Sequence, residues 1–171
     1  YTTGPYPLSY NGWGDVLVIV FFGFVPVGGT YYVQVLTWTP DVTIASLICG
    51  LLIDTLLVVN NYRDREADAR SGKRTVIVRF GEKFGRYFYL MLGVTASLLC
   101  LCFLREGHFY AAFLPQLYLI PHFLTWKRMV KIYSGKKLNS ILGETSRNML
   151  FMGSHSRSKG NIRQGKVLPA R

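Results

Sequence analysis

Cysteine and histidine are scarce in this 171-residue chain, with three residues of each. The cysteines, Cys49, Cys100 and Cys102, lie inside apolar stretches and include no CxxC pair. A disulfide framework and a Cys/His metal centre both need more of these residues at ligand spacing, so neither is expected. We interpret the three cysteines as small buried hydrophobic residues.

Acidic residues are also few, nine against 20 lysines and arginines, which gives a net charge of +11. Half of the residues are nonetheless hydrophobic and the mean hydropathy is +0.22, so apolar and basic residues must occupy separate segments. Such a separation is typical of membrane proteins. A nucleic-acid-binding protein would carry its basic residues along a soluble domain. We therefore expect the lipid bilayer as a partner and no nucleic acid.

Four segments are apolar and long enough to cross a bilayer, which takes about 20 helical residues. The predicted spans are approximately residues 16–37, 42–59, 87–104 and 109–126. Residues 63–86 contain eight Lys or Arg and a second basic loop follows the fourth span, whereas the loops at 38–41 and 105–108 have at most one. Since basic loops mark the cytoplasmic side, we expect a multi-pass protein of the cell inner (plasma) membrane with the Asn60 to Arg86 loop cytoplasmic. The predicted fold class is an all-α, polytopic transmembrane helix bundle with four spans and a partial fifth.

Polar residues cluster in the stretch NNYRDREADARSGKRT, residues 60–75, directly after the second predicted span. If the helix continues past Val59, one face carries a polar stripe. The side chains on this stripe are Asn60, Asn61, Asp64 and Asp68. Two carboxylates on one helical face repel each other, but Mg²⁺ is commonly held by one or two carboxylates together with substrate phosphates. Lys73 and Arg74 follow and are suited to neutralise phosphate oxygens. The pattern therefore predicts a site for Mg²⁺ and a lipid diphosphate.

The same residues allow a simpler interpretation, a solvated helix end with mixed charges that arginines anchor at the membrane surface. Two aspartates four residues apart arise often by chance, so the residues alone leave this alternative open. Arg65 and Glu66 lie off the stripe and are expected to be solvated in either case. Asp54, seven residues before Asn61, is a candidate for placing a substrate or the metal. Alternatively, Asp54 marks an ion path in a small membrane transporter or channel subunit.

Several stretches resemble the UbiA-type intramembrane prenyltransferases, and among them the 1,4-dihydroxy-2-naphthoate polyprenyltransferases of menaquinone synthesis. The matching residues, similar to the second aspartate-rich motif of that family and its continuation, are Asn60-Asn61, Arg63-Asp64, Asp68, Gly72-Lys73-Arg74-Thr75 and Val78-Arg79-Phe80-Gly81. The segments YTTGPYPLSYNGWGD and FFGFVPVGGTYYVQ are similar to the loop and helix that precede the motif. The resemblance covers about Tyr1 to Met152.

The resemblance implies a nine-helix bundle in which two aspartate-rich motifs face each other across Mg²⁺ and a prenyl diphosphate. It implies transfer of a polyprenyl group to 1,4-dihydroxy-2-naphthoate, which gives demethylmenaquinone. By position, Asp64 and Asp68 would be catalytic and would ligate the metal together with Asn61. The residues expected to bind substrate are Asn60, Asn61, Lys73 and Arg74, and Asp54 is added to them by the argument from its place in the second span.

Both ends of the chain depart from the family pattern. The first aspartate-rich motif is absent, so we expect residues 1–152 to form an incomplete transmembrane prenyltransferase domain that is inactive alone. The sequence GSHSRSKGNIRQGKVLPAR stands where the family continues with an apolar helix. We expect residues 153–171 to be a basic, disordered tail. A truncated or frame-shifted gene product would account for both ends.

Overall fold

The computed structural model describes Tyr10 and residues 12–157, and the regular secondary structure of this part of the chain is entirely helical. The helices are α1 (Gly14–Val35), α2 (Pro40–Arg70), α3 (Val76–Cys100), α4 (Phe109–Phe113), α5 (Leu119–Ile132) and α6 (Asn139–Arg157). Short 3₁₀ segments follow α3 (Leu101–Glu106), join α4 to α5 (Leu114–Tyr118) and precede α6 (Lys136–Leu138).

Three helices of the described residues are long and apolar enough to cross a membrane: α1, α2, and α3 with its extension to Arg105. The protein is therefore a multi-pass membrane protein with a helical bundle, and the first three predicted spans are confirmed. Helix α2 continues through Arg70, so the condition for a polar stripe after Val59 is met. Helix α3 begins at Val76, earlier than the predicted start at Tyr87, and a kink at Gly81, whose φ is +86°, separates its first turn from the rest of the helix.

The fourth predicted span, residues 109–126, is helical but is divided between α4, the 3₁₀ segment Leu114–Tyr118 and α5. Pro115 stands at the start of the 3₁₀ segment. Proline has no amide hydrogen and interferes with the preceding helical turn, which explains the break. Within the described residues this region lacks a continuous helix of spanning length.

Helices α1 and α2 form a tightly packed hairpin joined by the short loop 36–39. A Cβ atom placed on Gly23 would overlap the carbonyl oxygen of Ser46, and one placed on Gly50 would lie 2.9 Å from the Cα of Ile19. Such close backbone approach through small residues is common between membrane helices. Residues Ile19–Gly29 of α1 are π-helical and include Pro26, whose missing amide is compatible with the altered hydrogen-bonding pattern.

The core lies between α2, α3 and the segments from α4 to α6. Its large, fully buried side chains include Tyr62, Tyr89, Tyr118, Met129 and Ile141. Two buried tyrosines of this core have polar partners: the Tyr118 hydroxyl is 3.0 Å from His122 Nδ1, and the Tyr89 hydroxyl is 3.0 Å from Thr145 Oγ1. The His122 ring also stacks on Tyr89, with 4.6 Å between the ring centres, so these contacts connect α3, α5 and α6. They support a packing role for His122.

Helix α6 extends past Met152 to Arg157. The first residues of the predicted basic tail, 153–157, are thus helical and continue α6. Residues 158–171 of that tail lie outside the described residues, as do residues 1–9 and 11 at the start of the chain.

Candidate active site at the end of helix α2

The end of α2 is shaped by a glycine turn that folds the chain back over the last helical turn. Gly72 has a φ of +77°, a conformation that favours glycine. Its amide donates to the Ala69 carbonyl at 3.2 Å, and the Lys73 amide donates to the Asp68 carbonyl at 2.9 Å. These two bonds are the pattern of a Schellman motif. The turn therefore carries Lys73 back to Asp68 as a consequence of local sequence.

Lys73 and Asp68 form an ion pair, with 3.1 Å between Nζ and Oδ1. The Asp68 side chain is mostly buried, 11% exposed. The hydrogen bond to Asp68 raises the pKa of Lys73, so the lysine is charged at neutral pH. Lys73 Nζ also lies 5.9 Å from the ring centre of Tyr10, and the Arg74 amide donates to the Tyr10 carbonyl at 2.9 Å. Tyr10 thus packs against the loop that carries Lys73.

Asp64 is held by its neighbour Arg63. The guanidinium donates from Nε to Asp64 Oδ1 at 2.7 Å and from Nη2 to Oδ2 at 2.6 Å, which is a two-point ion pair. The third nitrogen, Nη1, donates to the side-chain oxygen of Asn139 at 2.8 Å. Asp64 remains 45% exposed, so it is the more accessible of the two motif carboxylates.

The structure brings most of the predicted site residues to one end of α2. Asn60 and Asn61 are half-buried and lie about one helical turn before Asp64. Arg74 is exposed beside Lys73. Asp54 is different, because it is fully buried about two turns deeper in α2. Neither of its carboxylate oxygens has a hydrogen-bond partner among the described residues.

The expectation that Arg65 is solvated is wrong, since its side chain is only 10% exposed. Its Nη1 donates to the Tyr62 carbonyl at 2.7 Å, and Arg86 Nε donates to the Tyr62 hydroxyl at 2.9 Å. Both guanidinium groups also lie 5.2 Å from the ring centre of Tyr133, and each pairs with Glu82. This cluster joins the ends of α2, α3 and α5 next to the motif. Helical spacing within α2 could not reveal it, because its partners lie on other helices.

An apolar cavity of about 610 Å³ lies along the membrane part of α2. The α2 residues in its lining follow one helical face: Ala45, Ile48, Cys49, Leu52, Ile53 and Leu56. Asn60 follows Leu56 by four residues and so extends that face toward the motif. The opposite wall includes Phe103, Met149 and Met152. An apolar groove therefore leads along α2 toward the polar end.

The chain was compared with known families, proteins and structures. The UbiA prenyltransferase family profile matches residues 1–151. The chain belongs to the UbiA prenyltransferase family. It is 43% identical over 103 residues to 1,4-dihydroxy-2-naphthoate octaprenyltransferase of Haemophilus influenzae, covering 60% of this chain and 33% of the relative. It is 42% identical over 101 residues to the Escherichia coli protein of that name, covering 59% of this chain and 32% of the relative.

More distant members also match. The chain is 29% identical over 153 residues to UbiA prenyltransferase domain-containing protein 1 of Dictyostelium discoideum, covering 90% of this chain and 45% of the relative. The chain spans about a third of the length of its bacterial naphthoate relatives. No solved structure is significantly similar to it.

The carboxylate and amide oxygens at the end of α2 are of the type that Mg²⁺ prefers as ligands. Within residues 10 and 12–157, no group of three or more His, Cys, Asp or Glu side chains forms a metal cluster. Asp64 and Asp68 nevertheless supply two carboxylates, with the Asn60 and Asn61 amides one turn away, and Mg²⁺ is commonly bound by one or two carboxylates plus phosphate. The donor set is thus suited to a metal that arrives with a phosphorylated substrate.

Proposed function

We propose that this protein transfers a polyprenyl group from a polyprenyl diphosphate to 1,4-dihydroxy-2-naphthoate, giving demethylmenaquinol, the reduced form of demethylmenaquinone. It would thus be a transferase of non-methyl alkyl groups. One observation carries the proposal. At the end of the membrane-spanning helix α2, Asp64 pairs with Arg63 and Asp68 pairs with Lys73, and an apolar groove lies along the same helix. The names of the bacterial relatives support the naphthoate acceptor.

The residues of α2 and its turn have separate roles in this proposal. Asn61, Asp64 and Asp68 hold Mg²⁺, and Asn60 binds the diphosphate beside it. Mg²⁺ supplies neutralisation of the charge that develops on the departing diphosphate. Lys73 and Arg74 add positive charge to the same oxygens. The carbon–oxygen bond of the prenyl diphosphate breaks with its electron pair on diphosphate, and a ring carbon of the acceptor then bonds to the allylic cation and releases its carboxyl group as CO₂.

The apolar groove is proposed to hold the isoprenoid chain. Its α2 lining ends at Leu56, one turn before Asn60, so a bound diphosphate at the motif would place the first isoprene units at the groove. Burial of the chain against aliphatic and aromatic side chains would contribute about 0.8 kcal/mol for each methylene removed from water. Asp54 lies deeper in α2 and is proposed to place the aromatic acceptor.

A transfer assay tests the proposal. Membranes containing this chain, alone or together with a relative's segment that bears a first aspartate-rich motif, are supplied with polyprenyl diphosphate, 1,4-dihydroxy-2-naphthoate and Mg²⁺. We expect prenylated product in the combined form and a loss on the order of a hundredfold or more in Asp64→Ala. Glu66→Ala, which alters an exposed charge on the same helical turn, is the matched control and keeps activity.

Absence of product in every form would reject the prenyltransferase. The buried, unpartnered Asp54 would then favour the alternative of a small transporter or channel subunit, which ion-flux measurements in vesicles would test.

A further inference from the structure

Arg63 connects the motif to a distant helix. Two of its nitrogens hold Asp64, and the third donates to Asn139, which is 76 residues away and is the first residue of α6. The same guanidinium therefore has a charged partner on its own helix and a neutral partner on another.

Both motif carboxylates carry an internal counter-charge, Arg63 on Asp64 and Lys73 on Asp68. A carboxylate whose two oxygens are engaged by one guanidinium is poorly placed to ligate a metal as well. If Asp64 ligates Mg²⁺, the Arg63 guanidinium must release the Asp64 carboxylate. The diphosphate that accompanies the metal can then accept hydrogen bonds from the guanidinium.

We propose that Arg63 exchanges Asp64 for the diphosphate and that Asn139 is the positioning residue that keeps the guanidinium at the site during the exchange. This inference rests on the proposed function, since it concerns the same metal and diphosphate site. In the metal-free protein Arg63 neutralises Asp64. In the loaded site Arg63 stays bound to Asn139 through Nη1 and donates from Nε and Nη2 to diphosphate oxygens.

Asn139 suits this role in two ways. Its amide oxygen accepts a hydrogen bond but bears no charge, so it can hold a guanidinium without neutralising it. Its backbone is also well fixed, because the neighbouring Leu138 and Ile141 are fully buried in the core. A fixed acceptor on α6 reduces the freedom that Arg63 would otherwise have after Asp64 is released.

Binding measurements on the 171-residue chain in nanodiscs test the exchange. Mn²⁺, which replaces Mg²⁺ and is visible by electron paramagnetic resonance, is titrated first alone and then with inorganic diphosphate. We expect Asn139→Ala to leave Mn²⁺ affinity unchanged but to weaken diphosphate binding to the Mn²⁺ complex by about tenfold or more, the range that one hydrogen bond to a charged group supplies. In an Arg63→Gln background the same substitution should have no further effect.

Asn139→Asp provides the opposite test. An added carboxylate at this position should draw Arg63 away from Asp64, which tightens Mn²⁺ binding and weakens diphosphate binding. Ser140→Asp places the same charge on the next residue, whose hydroxyl bonds to the Lys137 carbonyl and not to Arg63, and serves as the control. Unchanged diphosphate affinity in Asn139→Ala, or equal Mn²⁺ affinity in Asn139→Asp and Ser140→Asp, would overturn the exchange. Because no acceptor or prenyl chain is used, these results are independent of whether prenyl transfer is observed.

Discussion

At the residue scale, Lys73 is a basic side chain that the local turn after α2 brings to Asp68. It forms an ion pair with Asp68, which raises the pKa of Lys73. The lysine therefore stays charged until the pH rises above the ordinary pKa of a lysine. We expect Lys73→Met to lower prenyl transfer on the order of tenfold or more, because a positive charge next to the leaving diphosphate is lost. Lys73→Arg should retain most activity.

The matched control for this prediction is Lys83→Met, which removes an exposed lysine from the first turns of α3. Steady-state rates at saturating Mg²⁺ are the measurement. Equal losses in Lys73→Met and Lys83→Met would mean that overall basic charge matters and not the position of Lys73.

Asp54 presents the converse case, a buried carboxyl group without a partner among the described residues. Both carboxylate oxygens are buried without a partner among the described residues, and a buried unsatisfied group costs about 1–3 kcal/mol or more. We therefore expect Asp54→Leu, which replaces the unpaired carboxyl group with an apolar side chain, to raise the thermal unfolding temperature in detergent. Asp41→Asn, in the first turn of the same helix, should lower it slightly because an acid there interacts favourably with the helix dipole.

The same variant tests whether Asp54 binds substrate. A higher KM for the aromatic acceptor together with higher stability would support that role, since functional residues often cost stability. An unchanged KM for the acceptor would remove Asp54 from the proposed substrate-binding residues.

Residue-level prediction from sequence works where the partners are neighbours along the chain. Helical spacing aligns Asn60, Asn61, Asp64 and Asp68 on a helix that continues through Arg70. The partners of Arg63 and Arg65 could not be predicted in this way. Asn139 and Glu82 reach them only through packing of other helices against α2, and no local pattern encodes that contact.

At the element scale, the end of α2 depends on one glycine. Gly72 has a positive φ, and an alanine there is strained, so we expect Gly72→Ala to destabilise the protein by about 1 kcal/mol. It should also separate Lys73 from Asp68 and reduce prenyl transfer. Gly143→Ala is the control with the opposite sign, because Gly143 lies within helix α6 and a Cβ there would meet open space. Thermal unfolding and transfer rate are measured for both, and a Gly72→Ala protein as stable and active as the parent would contradict this account of the turn.

The helices themselves were predictable to different degrees. Long uninterrupted apolar runs identify α1, α2 and the second half of α3, since few other structures accommodate them. The start of α3 at Val76 was missed because its early turns are charged, although Thr75 caps it by accepting from the Val78 amide at 3.3 Å. The division of the fourth span depends on Pro115 in a packed context, and membrane helices often tolerate proline.

At the scale of the whole molecule, contacts place the loops at two opposite ends of the bundle. Arg63 bonds to Asn139, and Arg86 accepts through its carbonyl from Trp126 Nε1 at 2.9 Å, so the basic loops share the end that carries the motif. Thr39 and Phe103 line a common pocket, which places the loops after α1 and α3 together at the other end. Successive loops therefore still lie at alternate ends of the bundle, although the fourth predicted span is divided.

This arrangement predicts that the motif end faces the cytoplasm, because eight Lys or Arg lie in residues 63–86. Single cysteines are introduced into a chain whose native cysteines are replaced by serine, and intact cells or spheroplasts are treated with a membrane-impermeant thiol reagent. We expect His108→Cys and Thr37→Cys to react from outside, and Arg70→Cys and Lys136→Cys to react only after the membrane is permeabilised. All four positions are exposed in the structure, so permeabilised membranes provide the control for reactivity. Labelling of Arg70→Cys in intact cells would reverse the orientation and would require the diphosphate site to draw its substrate from the outer face.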